Sequence, residues 1–283
     1  MVIQHNISGM NANRQYGITT VSQRYSAEKL STGYKINRSA DDAAGLAVSE
    51  AMRRQVRGLT QSSANAQDGI SLAQVADGAL QEVHDMIQRG TEISVKAATD
   101  TLTDEDREYI DLEVHRIAAE IESIASKATF NEITIFPPDG AKVGKESEST
   151  VPDLFLQVGS ETDSQNAIGI KRYSLSAEAI GLDGICSGTK QEALESIDKF
   201  KNALGNVSQM RSYYGALQNR LEHTIKNVDN VMENTQSAES SVRDTDMATQ
   251  MFRHSNLNIL SQAGQSVLAQ ANQSNSGVLT LIS

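Results

Sequence analysis

The side chains that most often do chemistry in proteins are scattered along this sequence. It has one cysteine, Cys186, and five histidines, and none of them forms a His-Glu-x-x-His motif or a Cys/His cluster along the chain. His115 falls in a predicted helix near Glu113, where we expect a solvated or packing role. Cys186 has no Cys or His beside it to indicate a nucleophile, and a single cysteine cannot form an intrachain disulfide. The sequence thus predicts no catalytic residue, no metal site and no cofactor.

Two groups of acidic side chains have an explanation in local structure. They are Asp41-Asp42 and Asp104-Glu105-Asp106, and both stand at predicted helix starts, where the helix dipole favours negative charge without any catalytic duty. Gly181 and Gly184 are typical of turns, and no glycine-rich phosphate loop is present in the sequence. We predict that the chain is not an enzyme.

Three capping-box patterns predict the starts of long helices. They are Ser39-Ala40-Asp41-Asp42, Thr103-Asp104-Glu105-Asp106 and Thr189-Lys190-Gln191-Glu192, each a Ser or Thr followed three residues later by an acid. The helical runs that follow cover about 42 to 100, about 104 to 128, and from about 190 past 235. The apolar stripe of the third run repeats every ~3.5 residues, the spacing of a coiled coil, over roughly 70–80 Å. The sequence predicts a mainly α fold, a rod of long helices side by side.

In the middle of the chain the helical spacing of apolar residues gives way to short stretches rich in β-forming residues. FNEITIF (130–136) is rich in β-forming residues and stops at Pro137-Pro138. LFLQV (154–158) and the stretch 168–175 also indicate short strands, whereas 141–153 is polar and loop-like. We predict a small β-hairpin region at about 130–180, packed on the helices.

Composition excludes several kinds of partner. The net charge of −11 and the pI of about 5.0 argue against binding the phosphate backbone of nucleic acid. No window approaches eighteen consecutive apolar residues, so membrane insertion is not predicted. The first residues, MVIQHNISGMNANRQ, lack the basic and apolar regions of a secretory signal. Taken alone this predicts a cytoplasmic protein, and export by another route would leave the same pattern.

Both ends of the chain are almost free of charge. Residues 254–283 contain no Asp, Glu, Lys or Arg, and residues 1–27 contain only Arg14 and Arg24. Apolar and small residues recur there at helical spacing: Ile3, Ile7, Met10, Ile18, Val21 and Tyr25, then Leu257, Leu260, Gly264, Val267, Ala271, Ser274, Val278 and Leu281. A pair of such helices would be thin, so we expect the tails to be ordered only among copies of the chain. Disordered termini are the alternative, and an interfacial membrane helix is less favoured because the basic face is missing.

Two long signatures resemble the bacterial flagellin family, whose members are subunits of the flagellar filament. NANRQ and EKLSTGYKINRSADDAAGLAVSEAMRRQVRGLTQSSANAQDGISLAQVADGAL stand near the start, and RDTDMATQM and NILSQAGQSVLAQANQSNSGVLTLI near the end. The resemblance covers nearly the whole length. It implies an inner domain of paired terminal helices, 1–41 and 243–283, which lines the filament channel. It also implies a rod-like domain at 42–242 that includes the β region, in a minimal form without an outer variable domain.

The resemblance also implies a function. The chain would polymerise into a filament for swimming motility after export, unfolded, through the flagellar channel by the type III apparatus, and would be extracellular. Its partners would be itself, the flagellar cap, the hook-junction proteins and an export chaperone. The residues expected to carry polymerisation are Ile3, Ile7, Met10, Val21, Leu257, Leu260, Val267, Leu268, Val278 and Leu281.

A second site is implied by the segment IQRGTEISVKAA (87–98), which is similar to the family segment recognised by Toll-like receptor 5. The matching positions are Gln88, Arg89, Glu92 and Ile93, with Glu113 on the next helix. Gly90-Thr91 departs from a common form of the motif, in which a larger residue and an Arg stand. A Gly inside a helix costs about 1 kcal/mol relative to Ala.

Two alternatives stay open at this point. A hook–filament junction protein shares a weaker version of the same signatures. A signalling coiled-coil hairpin, such as that of a chemoreceptor, would have a similar composition in its long helices. That hairpin would need a sensor or transmembrane attachment and would not need an uncharged terminal seam.

Overall fold

The computed structural model describes residues 6–143 and 151–282, with side chains described up to residue 274. The long helices are α1 (Ile7–Thr32), α2 (Ala43–Ala97), α3 (Asp104–Lys127), α5 (Lys190–Arg243) and α6 (Met247–Ile282), and α4 (Ala177–Ile180) is a single turn. The strands are β1 (Thr129–Phe130), β2 (Ile133–Thr134), β3 (Leu154–Gln157) and β4 (Ala167–Ile170). The predicted mainly α fold, with long helices, paired terminal helices and a small β-hairpin region, is confirmed.

Two of the three predicted capping boxes are present. Thr103 and Asp106 cap α3 reciprocally: the Asp106 amide donates to Thr103 Oγ1 at 3.3 Å and the Thr103 amide donates to Asp106 Oδ2 at 3.1 Å. Thr189 and Glu192 do the same at the start of α5, at 3.3 and 2.9 Å. These bonds satisfy amides that the first helical turn leaves unpaired.

The capping box predicted at Ser39 is wrong. Asp42 caps α2, because its Oδ1 accepts the amides of Ala44 and Gly45 at 3.1 and 3.0 Å. Asp41 is used by the preceding turn, where its Oδ2 accepts the amides of residues 37 and 38. The helix therefore starts three residues later than a cap at Ser39 would give.

The chain divides into two compact units. Unit 1 comprises residues 1–56 and 233–283, and unit 2 comprises residues 57–232. Among the described residues, no helix is both long enough and apolar enough to cross a membrane. The limits expected for the inner and rod-like domains, at 41/42 and 242/243, stay a prediction.

Unit 2 has a continuous apolar core. Its helices contribute the side chains of the predicted stripes, among them Leu80, Val83, Ile87, Val114, Ile121, Phe200, Val207, Tyr214 and Leu221. Tyr214 is fully buried, and its hydroxyl donates to the carbonyl of Lys171 at 3.2 Å. Burial raises the pKa of the Tyr214 hydroxyl, so this phenol stays neutral and keeps its proton for that bond. The ring packs edge-to-face on Phe136, which joins the β region to α5.

Between α3 and α5, the described residues form two separate two-stranded antiparallel sheets. In the first, Thr129 pairs with Thr134 across a tight turn in which Asn131 and Glu132 have φ values of 48° and 66°. In the second, β3 pairs with β4, with Leu154 opposite Ile170. The predicted strands at 130–136, 154–158 and 168–175 are thus each present in part. Residues 144–150 of the predicted loop lie outside the described residues.

Within unit 1, several contacts join the end of α1 and the end of α5 to the start of α6. Gly33, with φ 76°, ends α1, and its carbonyl accepts the Thr245 amide at 3.0 Å. The Arg243 guanidinium lies 4.8 Å from the centre of the Tyr34 ring and bonds Glu50 at 2.8 Å. This hydrogen bond from Arg243 holds the pKa of the Glu50 carboxyl below its ordinary value. These contacts hold the C-terminal ends of α1 and α5 next to the N-terminal end of α6.

Candidate functional site

Helices α1 and α6 pack against each other in antiparallel fashion within unit 1. On both helices, buried or half-buried residues recur at alternating steps of three and four, which is the heptad spacing of a helix pair. We call them the α1–α6 seam: Gly9, Ala12, Tyr16, Thr19, Gln23, Ser26 and Leu30 of α1, and Gln250, His254, Leu257, Ser261, Gly264, Leu268 and Ala271 of α6. Most of these side chains are small or polar, so the pair buries little apolar surface.

Hydrogen bonds between side chains hold much of the seam together. Gln250 Nε2 donates to Ser26 Oγ at 2.9 Å, and both residues are less than a tenth exposed. Gln23 donates to Asn258 near the middle of the pair. Further along, Gln265 Nε2 donates to the Tyr16 hydroxyl at 2.8 Å and Asn6 Nδ2 to the Ala271 carbonyl at 3.2 Å. Burial of a polar side chain is favourable only when it is hydrogen-bonded, as the side chains of Gln250 and Ser26 are.

Within the described residues, α1 and α6 therefore pair inside one chain, which differs from the expectation that the tails are ordered only among copies. The physical reason is the set of hydrogen bonds across the seam, which apolar spacing alone does not reveal. The close approach at Gly264 adds to it: a Cβ there would lie 3.3 Å from the Tyr16 ring. The pair remains thin, as expected.

The large apolar residues of α1 point away from the seam. We call Ile7, Met10, Ile18, Val21 and Tyr25 the outer apolar face; their exposed fractions run from 67% for Ile7 and Met10 to 44% for Val21 and Tyr25. At 3.6 residues per turn this face lies about 180° around the helix from the α1 residues of the seam. Helix α6 likewise exposes large apolar residues: Met247, Met251, Phe252, Ile259, Leu260 and Val267. A soluble protein rarely exposes so dense a set unless another molecule covers it.

The structure divides the residues predicted for polymerisation into three groups. Ile7, Met10, Val21, Leu260 and Val267 are exposed on the outer sides of the pair. Leu257 and Leu268 are half-buried in the seam. Ile3 and the side chains of Val278 and Leu281 lie outside the described residues.

Four of the five residues matched to receptor contacts form an exposed polar cluster in unit 2. Arg89 of α2 bonds Glu92 at 3.4 Å on its own helix and Glu113 of α3 at 3.3 Å. The three side chains are between 49% and 70% exposed. Gln88 lies beside them, with Nε2 2.9 Å from His84 Nε2. Ion pairs this exposed add little to the stability of the fold. Because the side chains are exposed, a partner can reach them.

Ile93 is not part of that exposed cluster. Its side chain is only 4% exposed and packs in the core of unit 2, so it adds no surface to the cluster, and its match to a receptor contact stays a prediction. It is an apolar residue on the core side of α2, four residues before the fully buried Ala97, and packing in the core removes its side chain from water.

In the same stretch, the absence of a side chain at Gly90 is explained by packing. A Cβ at this position would lie 2.5 Å from Cε1 and Cζ of Phe200, a fully buried ring on α5. The departure from the common motif therefore provides space for an aromatic side chain between two helices.

The structure also brings together residues that the sequence leaves far apart. Cys186, which has no histidine near it in sequence, lies beside Asp111 and His115 of α3, with one ligand atom from each within 4.8 Å of the others. Local spacing could not have revealed this group, because Cys186 stands about seventy residues further along the chain.

Comparison with known proteins gives matches to both helical regions. Residues 3–139 match the bacterial flagellin N-terminal helical region, and residues 197–282 match the bacterial flagellin C-terminal helical region. A flagellin of Halalkalibacterium halodurans is 45% identical over 285 residues, and a flagellar filament 31.3 kDa core protein of Treponema maltophilum is 43% identical over 288. In both cases the match covers 100% of each chain. The crystal structure of Bacillus cereus flagellin aligns with a TM-score of 0.48 at 23% identity, over 58% of this chain and 88% of that one.

The fold and the two family matches define a mainly helical structural protein whose two ends match the helical regions of one family. The chain belongs to the bacterial flagellin family. The segment between the two matched regions, 140–196, holds the second β-hairpin and the turn α4 and leaves no space for an outer domain of the usual size, so the chain is a minimal flagellin. Membership favours a filament subunit over a hook–filament junction protein or a signalling hairpin.

Proposed function

We propose that this chain polymerises into a bacterial flagellar filament for swimming motility, and that the outer apolar face of α1 is a contact between subunits. The observation that carries the proposal is the separation of two faces on one helix: a small, polar face binds α6, and a large, apolar face is left uncovered. Relatives that match this chain along its whole length are named flagellin and flagellar filament core protein.

Burial of the outer apolar face supplies the free energy for assembly. Covering one Ile, Val or Met side chain contributes about 1.5–3 kcal/mol. Polymerisation repeats this gain at every subunit, whereas a free chain leaves these side chains in water. The near absence of charge at both ends fits the same role, since ions buried unpaired between subunits would be costly.

The remaining parts of the proposal follow family membership. Segments 1–41 and 243–283 line the filament channel, and 42–242 forms the surrounding layer. Ile3, Leu257, Leu268, Val278 and Leu281 contribute to the contacts among terminal helices. The chain is exported unfolded by the flagellar type III apparatus with an export chaperone, assembles beneath the cap onto the hook-junction proteins, and works outside the cell.

Polar substitution on the outer apolar face tests the proposal. In the double variant Ile18→Asn, Val21→Asn we expect the critical concentration for polymerisation to rise at least about tenfold, because each lost burial exceeds the ~1.4 kcal/mol that a factor of ten requires. The thermal melting curve of the free chain should be unchanged, since both side chains are already exposed. Sedimentation of seeded polymer measures the critical concentration.

Phe155→Asn is the matched control. Phe155 is 72% exposed on β3 in unit 2, so the substitution removes an exposed apolar side chain from a different surface. The critical concentration for polymerisation of this variant should stay within about twofold of that of the unmodified chain. An equal rise in both variants would refute a special role for the outer apolar face.

A second function, recognition by Toll-like receptor 5, is favoured by the exposed cluster of Gln88, Arg89, Glu92 and Glu113. Arg89 reaches from α2 to Glu113 of α3, so the cluster presents both charges on a rigid two-helix surface. Ile93 acts here only by packing behind the cluster.

We expect Arg89→Ala and Glu113→Ala each to weaken binding of the receptor ectodomain at least about fivefold, the effect of losing one contact of about 1 kcal/mol. Glu122→Ala, which removes an exposed acid from another face of α3, should bind like the unmodified chain. Surface-plasmon-resonance titration against the free chain gives the affinities. Unchanged binding in both Arg89→Ala and Glu113→Ala would remove the cluster from this role.

A further inference from the structure

We propose that Asp111, His115 and Cys186 of unit 2 bind one zinc ion. A carboxylate oxygen, an imidazole nitrogen and the thiol sulfur lie within 4.8 Å of one another, on a side of α3 that is open to solvent. The His115 side chain is 53% exposed and the Asp111 side chain 25% exposed, so an ion can reach them. This inference does not depend on polymerisation.

Two of the ligands are placed by the periodicity of α3. Asp111 and His115 are four residues apart, which puts them on the same face one turn from each other. Their nearest atoms, Asp111 Oδ2 and His115 Nε2, are 3.3 Å apart. In a tetrahedral zinc site with bonds of ~2.1 Å, two such ligand atoms are separated by about 3.4 Å. These two side chains therefore hold the spacing of a chelating pair.

The third ligand is placed by the loop 181–189 between α4 and α5. Leu182 and Ile185 anchor this loop in the core, each only 2% exposed. Ser196 Oγ donates to the Cys186 carbonyl at 2.7 Å, and Lys199 Nζ donates to the Gly184 carbonyl at 2.7 Å. These contacts hold the backbone around Cys186 in place beside α3, with Sγ within 4.8 Å of the other two ligand atoms.

The loop also orients the carboxylate. The amide of Ser187 donates to Asp111 Oδ1, which leaves Oδ2 directed to His115. Hydrogen bonds to the non-ligating atom of a metal ligand are typical of metal sites and fix the ligand before the ion arrives. The same contact joins the residue after Cys186 to α3, so it sets the distance between the thiol and the other two ligands.

The combination of a thiolate, an imidazole and a carboxylate matches zinc best. Zinc accepts all three donor types in tetrahedral geometry, and a site with three protein ligands leaves one position for water or for a group from another molecule. Binding displaces the thiol proton to solvent, so affinity should fall as the pH is lowered. An ion pair between Asp111 and His115 with a thiol merely packed nearby would show no response to metal.

Cobalt(II) titration of the untagged full chain tests the site, since cobalt(II) reports zinc sites by absorption. We expect one equivalent to give a near-ultraviolet thiolate-to-cobalt charge-transfer band and intense visible bands of four-coordinate geometry. Zinc should displace the cobalt, protect Cys186 from alkylation and raise the melting temperature of the unmodified chain by mass action. Absence of the thiolate band, or full alkylation in the presence of zinc, would overturn the proposal without any variant.

Substitutions identify the ligands. Cys186→Ser should abolish the charge-transfer band, and His115→Ala and Asp111→Asn should each weaken cobalt affinity by at least about tenfold, the lower end of what a disturbed metal site loses. Asn at 111 can still accept the Ser187 amide, which preserves the loop. His223→Ala, an exposed histidine of α5, is the control and should bind like the unmodified chain. Wild-type affinity in either His115→Ala or Asp111→Asn would refute the three-ligand site.

Discussion

At the scale of single residues, Gly90 shows how a local cost can serve tertiary packing. Gly disfavours a helix by about 1 kcal/mol relative to Ala, yet it stands in the middle of α2. The space that a Cβ would occupy is taken by the buried ring of Phe200, 2.5 Å from that position. Overpacking of this kind costs about 1–3 kcal/mol, which exceeds the gain in helix propensity.

Gly90→Ala should therefore lower the free energy of unfolding by up to about 2 kcal/mol, the overpacking cost less the gain in helix propensity. Gly78→Ala is the matched control on the same helix, because nothing lies within 4 Å of a Cβ there, and it should be neutral or stabilising by up to about 1 kcal/mol. Denaturant unfolding followed by circular dichroism measures both. A Gly90→Ala variant as stable as Gly78→Ala would contradict the packing argument.

The receptor contacts matched from the sequence stay a prediction, and the structure shows which of these side chains are exposed. Arg89, Glu92 and Glu113 are exposed and mutually bonded, in agreement with a surface role, whereas Ile93 is in the core because its helical position faces α2's buried side. The neighbours of Cys186 come from α3 and were invisible along the chain. No spacing rule connects positions so far apart in the sequence.

At the scale of elements, helix starts were the most predictable features. The boxes at Thr103 and Thr189 form as expected, and α2, α3 and α5 begin within one or two residues of the predicted positions. The box at Ser39 failed because Asp41 and Asp42 both offer a carboxylate, and the later one caps the helix. Sequence alone does not decide between adjacent acceptors.

For the terminal helices, the sequence predicts only some of the residues that form the α1–α6 seam. Spacing predicts an apolar seam, but small and polar residues such as Ser26 and Gln250 share the same heptad spacing and are buried together. Leu257, Gly264 and Ala271 were placed correctly, whereas Leu260 and Val267 point outward. Pairing by hydrogen bonds is not visible in a hydrophobic pattern, so apolar spacing alone identifies only part of the seam.

Acid should weaken the helix caps. Hydrogen bonds from Thr103 lower the pKa of the Asp106 carboxyl, and hydrogen bonds from Thr249 and Ala248 lower that of Asp246 at the start of α6. A carboxyl with a lowered folded-state pKa contributes stability that is complete above its ordinary pKa of about 4 and is lost as pH falls through the lowered value. Melting temperatures should thus be level from pH 7 to about pH 5 and fall below about pH 4.

The double variant Asp106→Asn, Asp246→Asn is a control for that fall, since Asn still caps a helix but does not titrate. Its melting temperature should drop less between pH 7 and pH 3 than that of the unmodified chain. Equal drops in the two proteins would show that these caps do not contribute to acid sensitivity.

At the scale of the whole molecule, charge is distributed unevenly along the chain. Residues 254–283 carry no formal charge, while the full chain has a net charge of −11, so the charge is concentrated in the rest of the sequence. Unit 2 has a complete apolar core of its own, whereas unit 1 relies on a thin seam and leaves large apolar residues uncovered. This contrast is expected of a subunit that is stable alone in one part and is completed by neighbours in the other.

Removal of residues 267–283 tests this account most directly. The deletion takes away the end of α6, including Leu268 and Ala271 of the seam, and leaves every residue of unit 2 in place. Electron microscopy and sedimentation after seeding under salting-out conditions should show filaments for the full chain and none for the truncated chain, whose unit 2 should still melt cooperatively. Filaments from the truncated chain, or none from the full chain under every salting-out condition, would contradict the account.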